Sequence, residues 1–120
     1  MARVLVHITT GPESPTRAAL GFLVAKTALE EGHDVTLFLA GDGVQLLRDG
    51  VLDSLTGLGT GSLREWYDAL AGGGARFYVS GLSSNARGVT PQDLDGKPAE
   101  MAQPSRLVQL IVECDRVVTY

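Results

Sequence analysis

RVLVHIT, residues 3–9, and DVTLFLA, residues 34–40, are the two stretches that decide the fold. Both are short, rich in β-branched residues and almost entirely apolar, which is typical of strands buried on both faces of a parallel sheet. Between them, Ser14 and Pro15 predict the N-cap and first residue of a helix that continues to about Glu31, where Gly32 ends it. A strand, a helix and a second strand in this order predict a βαβ unit with a right-handed crossover.

The rest of the chain continues this alternation. The predicted elements are a short helix over 44–48, an ambiguous segment over 51–55, a helix opened by a capping box between Ser62 and Glu65, a strand over 76–80, a short helix over 83–87, a turn at 95–98, a helix from Pro104 or Ser105, and a closing strand over 115–120. The last helix is expected to bury Leu107, Leu110, Ile111 and Cys114. The pattern predicts a three-layer α/β fold around a mostly parallel sheet, as one domain over residues 1–120.

Charge and composition exclude several classes of function. Ten Lys and Arg against fourteen Asp and Glu give a net charge of −4, which argues against a nucleic-acid-binding protein. No apolar run is long enough to cross a bilayer and no signal-peptide pattern follows Met1, so we expect no membrane contact and a cytoplasmic location. The single cysteine, Cys114, excludes an intramolecular disulfide and a multi-cysteine metal site. No metal, flavin or nucleotide cofactor is expected.

Small polar residues follow three of the predicted strands. They are Thr9-Thr10-Gly11, Gly41-Asp42-Gly43 and Ser80-Gly81-Leu82-Ser83. Ligands of open parallel sheets bind outside the carboxyl ends of the strands, so this edge is the candidate pocket. The alternative is that these segments are only turns capped by small polar residues.

Other motifs give weaker indications. The glycines of 57–61 follow no convincing strand and lack the spacing of a dinucleotide fingerprint, so a flexible connection is the simpler interpretation. A serine nucleophile would need a base, but His7 is predicted to be a satisfied core residue and His33 a surface turn residue. Cys114 shares a helical stripe with Leu107 and Leu110, which predicts a small core side chain rather than a reactive thiol.

The order of these features resembles the DsrE/DsrF-like family, which includes sulfur-relay subunits. The resemblance rests on the stretch from Val4 to Val44, on residues 73–79, on the Ala86-Arg87-Gly88 ending and on residues 115–120. It implies an α/β/α sandwich with about five strands, assembly into trimers or hexamers, and sulfur-relay-type protein partners. It also implies that the cysteine carrying a persulfide in the sulfur-relay members falls on Ser80, and that a further cysteine of some relatives falls on Ser83.

Both of these positions are serine here, and a serine hydroxyl cannot form a persulfide. We therefore interpret the chain as a non-catalytic or repurposed relative rather than an enzyme, with a small polar pocket lined by Thr10, Asp42, Ser80, Ser83, Asn85 and Arg87. In that pocket Arg87 could hold an anion; the alternative for Arg87 is a surface salt bridge.

Two other functions stay open. One is sulfur transfer through Cys114, the only thiol. The other is an oligomeric partner-binding protein, with Trp66 and Tyr67 as candidate contact residues.

Overall fold

A five-stranded parallel sheet forms the centre of the computed structural model, which describes residues 1–120. The strands are β1 (Arg3–Ile8), β2 (Asp34–Leu39), β5 (Arg76–Ser80), β6 (Ala99–Ala102) and β7 (Arg116–Thr119), in the order β6-β5-β2-β1-β7. A separate two-stranded hairpin is made by β3 (Thr56–Gly57) and β4 (Gly61–Ser62). The predicted α/β architecture with a mostly parallel sheet is confirmed.

Five α-helices connect these strands. They are α1 (Pro15–Glu30), α2 (Asp49–Ser54), α3 (Leu63–Gly72), α4 (Gly81–Arg87) and α5 (Pro104–Glu113), with 3-10 turns at Gly41–Leu47 and Pro91–Leu94. The predicted βαβ unit is present, because β1 pairs in parallel with β2 from Arg3 opposite Asp34 to Ile8 opposite Leu39. None of the helices has the length and apolar character needed to cross a membrane.

The two faces of the sheet are covered unequally. One face carries the main core, where Phe22 of α1 and Tyr67 of α3 pack with Phe77 of β5. On the other face α5 is the only helix in the smaller core, in which Leu110 packs with Leu5 and Phe38. Because no second helix packs beside α5 on this face, much of the surface of α5 stays in contact with solvent.

Burial of α5 differs from the sequence prediction for this reason. Only Leu110 is buried, Leu107 and Cys114 are partly buried, and Ile111 is 45% exposed. A helix that lies flat on a sheet without a neighbouring helix buries a narrow stripe, so the residues beside that stripe remain outside the core.

The strand β6 is not predicted from the sequence, which indicates only a turn at 95–98 in this region. Its sequence, Ala99-Glu100-Met101-Ala102, has weak strand propensity. It forms because β5 offers an unpaired edge, along which Phe77 stands opposite Ala99 and Ser80 opposite Ala102. Tertiary pairing therefore decides a segment whose local preference is poor.

Two further predictions are wrong: the flexible connection over residues 57–61 and the capping box between Ser62 and Glu65. Residues 56–62 form the β3–β4 hairpin, whose turn is closed by the Trp66 indole donating to the Thr60 carbonyl at 2.8 Å. Ser62 belongs to β4, and its side chain makes no capping hydrogen bond at the start of α3.

Candidate functional site

The predicted site residues Ser80 and Ser83 meet where β5 ends and α4 begins. Ser80 is 8% exposed, and its hydroxyl accepts the backbone N–H of Ser83 at 3.2 Å, which makes Ser80 the N-cap of α4. The Ser83 hydroxyl in turn accepts the backbone N–H of Gly41 at 2.9 Å. The Ser80 hydroxyl therefore caps α4, and the Ser83 hydroxyl holds α4 against the turn that follows β2.

Asp42 and Arg87 extend this network towards solvent. Arg87 Nε donates to Asp42 Oδ1 at 2.9 Å, and its Nη1 donates to the backbone carbonyl of Ser83 at 3.2 Å. The salt bridge that was the alternative interpretation of Arg87 is thus present. A guanidinium engaged in this way has fewer N–H groups left for an anion.

Thr10 and Asn85 are less closely tied to the network. Thr10 Oγ1 is buried without a hydrogen-bond partner, in a loop that packs tightly on the turn after β2. A Cβ at Gly11 would lie 2.1 Å from the Asp42 carbonyl oxygen, and one at Gly43 would lie 2.4 Å from the Ile8 carbonyl oxygen. Asn85 is exposed on α4 and makes no hydrogen bond to the other five residues.

A cleft of about 400 Å³ lies beside this network rather than inside it. None of the six predicted residues lines it; its walls are Tyr78, Gly81, Glu100, Met101, Ala102, Gln103, Ser105, Arg106 and Gln109. Tyr78 and Gly81 bracket Ser80 along the chain, so the cleft and the network are neighbours. Most of the cleft wall belongs to β6 and α5, and because the sequence does not predict β6, it gives no sign of the cleft.

A second cleft, of about 590 Å³, contains charged groups that pair with one another. Arg64 lies within 4.0 Å of Asp49, Asp53 and Asp68. Lys97, largely buried, forms a salt bridge with Asp49 at 3.0 Å, and this contact lowers the pKa of the Asp49 carboxyl. These pairs tie α2 and α3 to the loop before β6. No group of three or more His, Cys, Asp or Glu side chains is arranged to hold a metal ion.

Neither histidine is placed to activate Ser80. His7 lies on β1 opposite Phe38 of β2, which in turn lies opposite Tyr78 of β5. Two strand spacings, roughly 10 Å, therefore separate its backbone from β5. Its ring packs edge-on against Phe38, burial lowers its pKa, and its buried Nε2 has no hydrogen-bond partner. The prediction of a satisfied core histidine was therefore wrong for this nitrogen.

His33 lies outside the strand ends as well. It comes directly before β2, where its Nδ1 accepts the backbone N–H of Ala2 at 3.0 Å. In parallel strands this is the amino edge of the sheet, whereas Ser80 is at the carboxyl edge.

Cys114 also lies at the amino edge. It caps the end of α5, and β7 then begins with Arg116 opposite Val4. The length of a five-residue strand, about 15 Å, separates that edge from Ser80. Burial raises the pKa of the Cys114 thiol; Arg3 opposes this, while Asp34, Glu113 and Asp115 add to it. This thiol is neither near Ser80 nor activated as a thiolate.

The two aromatic residues proposed as contacts are occupied within the chain. Tyr67 is buried in the main core against Phe77. Trp66 is partly buried, donates to Thr60, and carries the Lys26 ammonium 5.1 Å from its ring centroid. The exposed large apolar side chains lie elsewhere, and three of the seven are on α5.

Comparisons with known proteins agree with this architecture. The ychN protein from E. coli superposes with a TM-score of 0.83 at 19% identity over 100% of both chains. MTH1491 from Methanobacterium thermoautotrophicum, a protein of unknown function, superposes with a TM-score of 0.69 at 20% identity, again over 100% of both chains. At such identities the likeness shows the fold alone. A search of curated sequences found no significant match. The model of the DsrE/DsrF-like family matches residues 2–120, and the chain therefore belongs to the DsrE/DsrF-like family.

Proposed function

We propose that this chain is a single-domain DsrE-like subunit that does not carry sulfur and acts as a non-catalytic or repurposed member of its family. The observation that carries the proposal is the state of Ser80. Its hydroxyl is buried and caps α4, and no histidine is within reach to remove its proton. A serine oxygen without a base is a poor nucleophile, and it cannot hold a sulfane sulfur.

Four of the six predicted pocket residues, Asp42, Ser80, Ser83 and Arg87, take a positioning role in this proposal. Ser80, Ser83 and Arg87 direct their polar atoms to Ser83, Gly41 and Asp42, so a ligand at this edge would have to displace existing hydrogen bonds. Their combined effect is to fix α4 across the carboxyl ends of β2 and β5. The geometry favours a structural role for these residues at this edge of the sheet over a role in an open ligand-binding site.

A persulfide-transfer assay tests the proposal. The folded protein would be incubated with a persulfide donor and its intact mass recorded, with Cys114→Ser in parallel. We expect no added sulfur on either protein under native conditions. Addition of one sulfur to the wild type but not to Cys114→Ser would overturn the proposal and establish Cys114 as the carrier.

Assembly is a second candidate function, supported by the exposed side of α5. Val108, Ile111 and Val112 are spaced by three and four residues, so they share one helix face. Val112 is 78% exposed, and Val117 on the edge strand β7 is also exposed. We define these four residues as the α5–β7 patch. Exposed apolar side chains grouped in this way are typical of protein interfaces.

We propose that the α5–β7 patch is covered by a second copy of this chain, as part of a trimer or hexamer. The sheet face beneath α5 has a single helix over five strands, so the same face of another copy can complete the missing layer. A sulfur-relay-type protein partner is the alternative occupant.

The molar mass in solution, measured by light scattering, tests the assembly. We expect an oligomer for the wild type and a monomer for Ile111→Glu. The matched control is Leu82→Glu, which places the same charge on an exposed leucine outside the patch. A monomeric wild type at micromolar concentration would contradict self-assembly. Oligomers that persist in Ile111→Glu would show that the interface lies outside the α5–β7 patch.

A further inference from the structure

The 400 Å³ cleft beside Ser80 combines a fixed aromatic wall with a cationic group. Tyr78 projects from β5 on the α5 side of the sheet, and the Arg106 guanidinium of α5 lies 5.5 Å from its ring centroid. Such a cation–π contact restrains the long arginine side chain without using its N–H groups. The volume of the cleft is within the range of small-molecule binding sites.

Arg106 differs from most other arginines of the chain because no carboxylate lies within 4.0 Å of it. Arg3, Arg48, Arg64, Arg76 and Arg87 each have such a partner. A planar guanidinium with free N–H groups is suited to bidentate binding of a carboxylate.

The other walls of the cleft define the kind of ligand. Gln103, Ser105 and Gln109 supply neutral donors and acceptors, and Met101 and Ala102 supply a small apolar surface. Glu100 also lines the cleft, but its carboxylate lies 3.9 Å from an Arg76 nitrogen, so a cation outside the cleft offsets part of its charge. A small organic acid with a polar remainder matches this lining better than a purely apolar or a cationic molecule.

We propose that this cleft is a binding site for a small carboxylate-bearing ligand, with Arg106 holding the carboxylate and the glutamine amides holding its polar part. The site is separate from the Ser80 network and does not depend on the proposed assembly or on the absence of sulfur transfer. It uses β6 and α5, the elements that give this side of the sheet its shape.

Titration with a defined probe, followed by ¹⁵N NMR, tests the proposal. The probe is N-acetyl-glycylglycine, and the control is the same molecule with its carboxylate converted to an amide. We expect saturable shifts of the Gln103 and Gln109 side-chain amides and of the Arg106 Nε–H with the acid only. Equal shifts with acid and amide, or no saturation up to the solubility of the probe, would overturn the proposal.

Two variants localise the effect. Arg106→Gln is expected to weaken binding of the acid by at least about tenfold, the loss of a charge-assisted pair. Arg17→Gln removes the same charge from an exposed position of α1 and is expected to leave binding unchanged. Because Arg106 is exposed, we expect Arg106→Gln to fold normally. A backbone ¹⁵N spectrum that matches that of the wild type would show that the variant is folded. Equal weakening by the two variants would indicate non-specific charge attraction and would also overturn the proposal.

Discussion

The Ser83 hydroxyl accepts the backbone N–H of Gly41 at 2.9 Å, across 42 residues of sequence. This bond joins the first turn of α4 to the turn after β2, and it lies in a partly buried environment. Its removal leaves the Gly41 N–H without a protein partner. We expect Ser83→Ala to lower the free energy of unfolding by about 1 kcal/mol, the usual worth of such a bond.

Urea denaturation of Ser83→Ala beside Asn85→Ala measures this difference. Asn85 lies on the same helix, is exposed, and is outside the network, so its replacement is expected to change the stability little. Equal effects from the two variants would show that the Ser83–Gly41 bond has no special role.

The glycines of the strand-end loops are required by close packing. A Cβ at Gly43 would lie 2.4 Å from the Ile8 carbonyl oxygen, so backbone would have to move in Gly43→Ala. We expect this variant to be destabilised by about 2 kcal/mol or more, within the range of strongly damaging single substitutions.

Gly50→Ala provides the opposite case. Gly50 lies within α2 and has open space around it, so alanine there is expected to stabilise the protein by about 0.5–1 kcal/mol through its better helix propensity. Thermal melts of both variants check the pair. A Gly43→Ala protein as stable as the wild type would mean that the two loops are packed less closely than the structure shows.

These loops illustrate how far the sequence allowed prediction. RVLVHIT and DVTLFLA predicted β1 and β2 because periodicity and β-branching act locally, and the small residues after the strands located one edge of the sheet. The pairing of Ser83 with Gly41 could not be predicted, because it depends on which strands become neighbours. The same reason explains β6 and its cleft, since Ala99–Ala102 becomes a strand only beside β5.

Position 80 offers a gain-of-function test of the family geometry. In Ser80→Cys, a thiol would occupy the N-cap of α4, where backbone N–H groups favour a thiolate. We expect this variant to gain the mass of one sulfur from a persulfide donor, whereas Ser80→Ala gains none. Both would be made in a Cys114→Ser background, so that any uptake is assigned to position 80. Lack of uptake by a folded Ser80→Cys protein would show that more than one side chain separates this chain from sulfur carriers.

The thiol of Cys114 should react slowly in the native protein. Because burial raises its pKa, the thiolate fraction at neutral pH is lower than that of an ordinary cysteine. We expect iodoacetamide to modify Cys114 more slowly in the folded protein than after denaturation in urea, with the native rate rising steadily as the pH increases. Native modification as fast as that of the denatured chain would contradict this environment.

His7 should make the stability depend on pH. Burial holds its pKa below the ordinary value of 6.5, and its Nε2 is buried without a partner, so the folded state favours the neutral ring. The unfolded chain therefore binds a proton more readily than the folded protein as the pH falls below 6.5. It follows that the contribution of His7 to stability is complete above that value and is lost as the pH falls through the folded-state pKa.

We expect the free energy of unfolding of the wild type to decline over this interval more steeply than that of His7→Gln, which cannot take up the proton. Urea denaturation of both proteins at a series of pH values measures the two slopes. Parallel slopes would show that the His7 proton is bound equally in the folded and unfolded states, contrary to the burial of its Nε2.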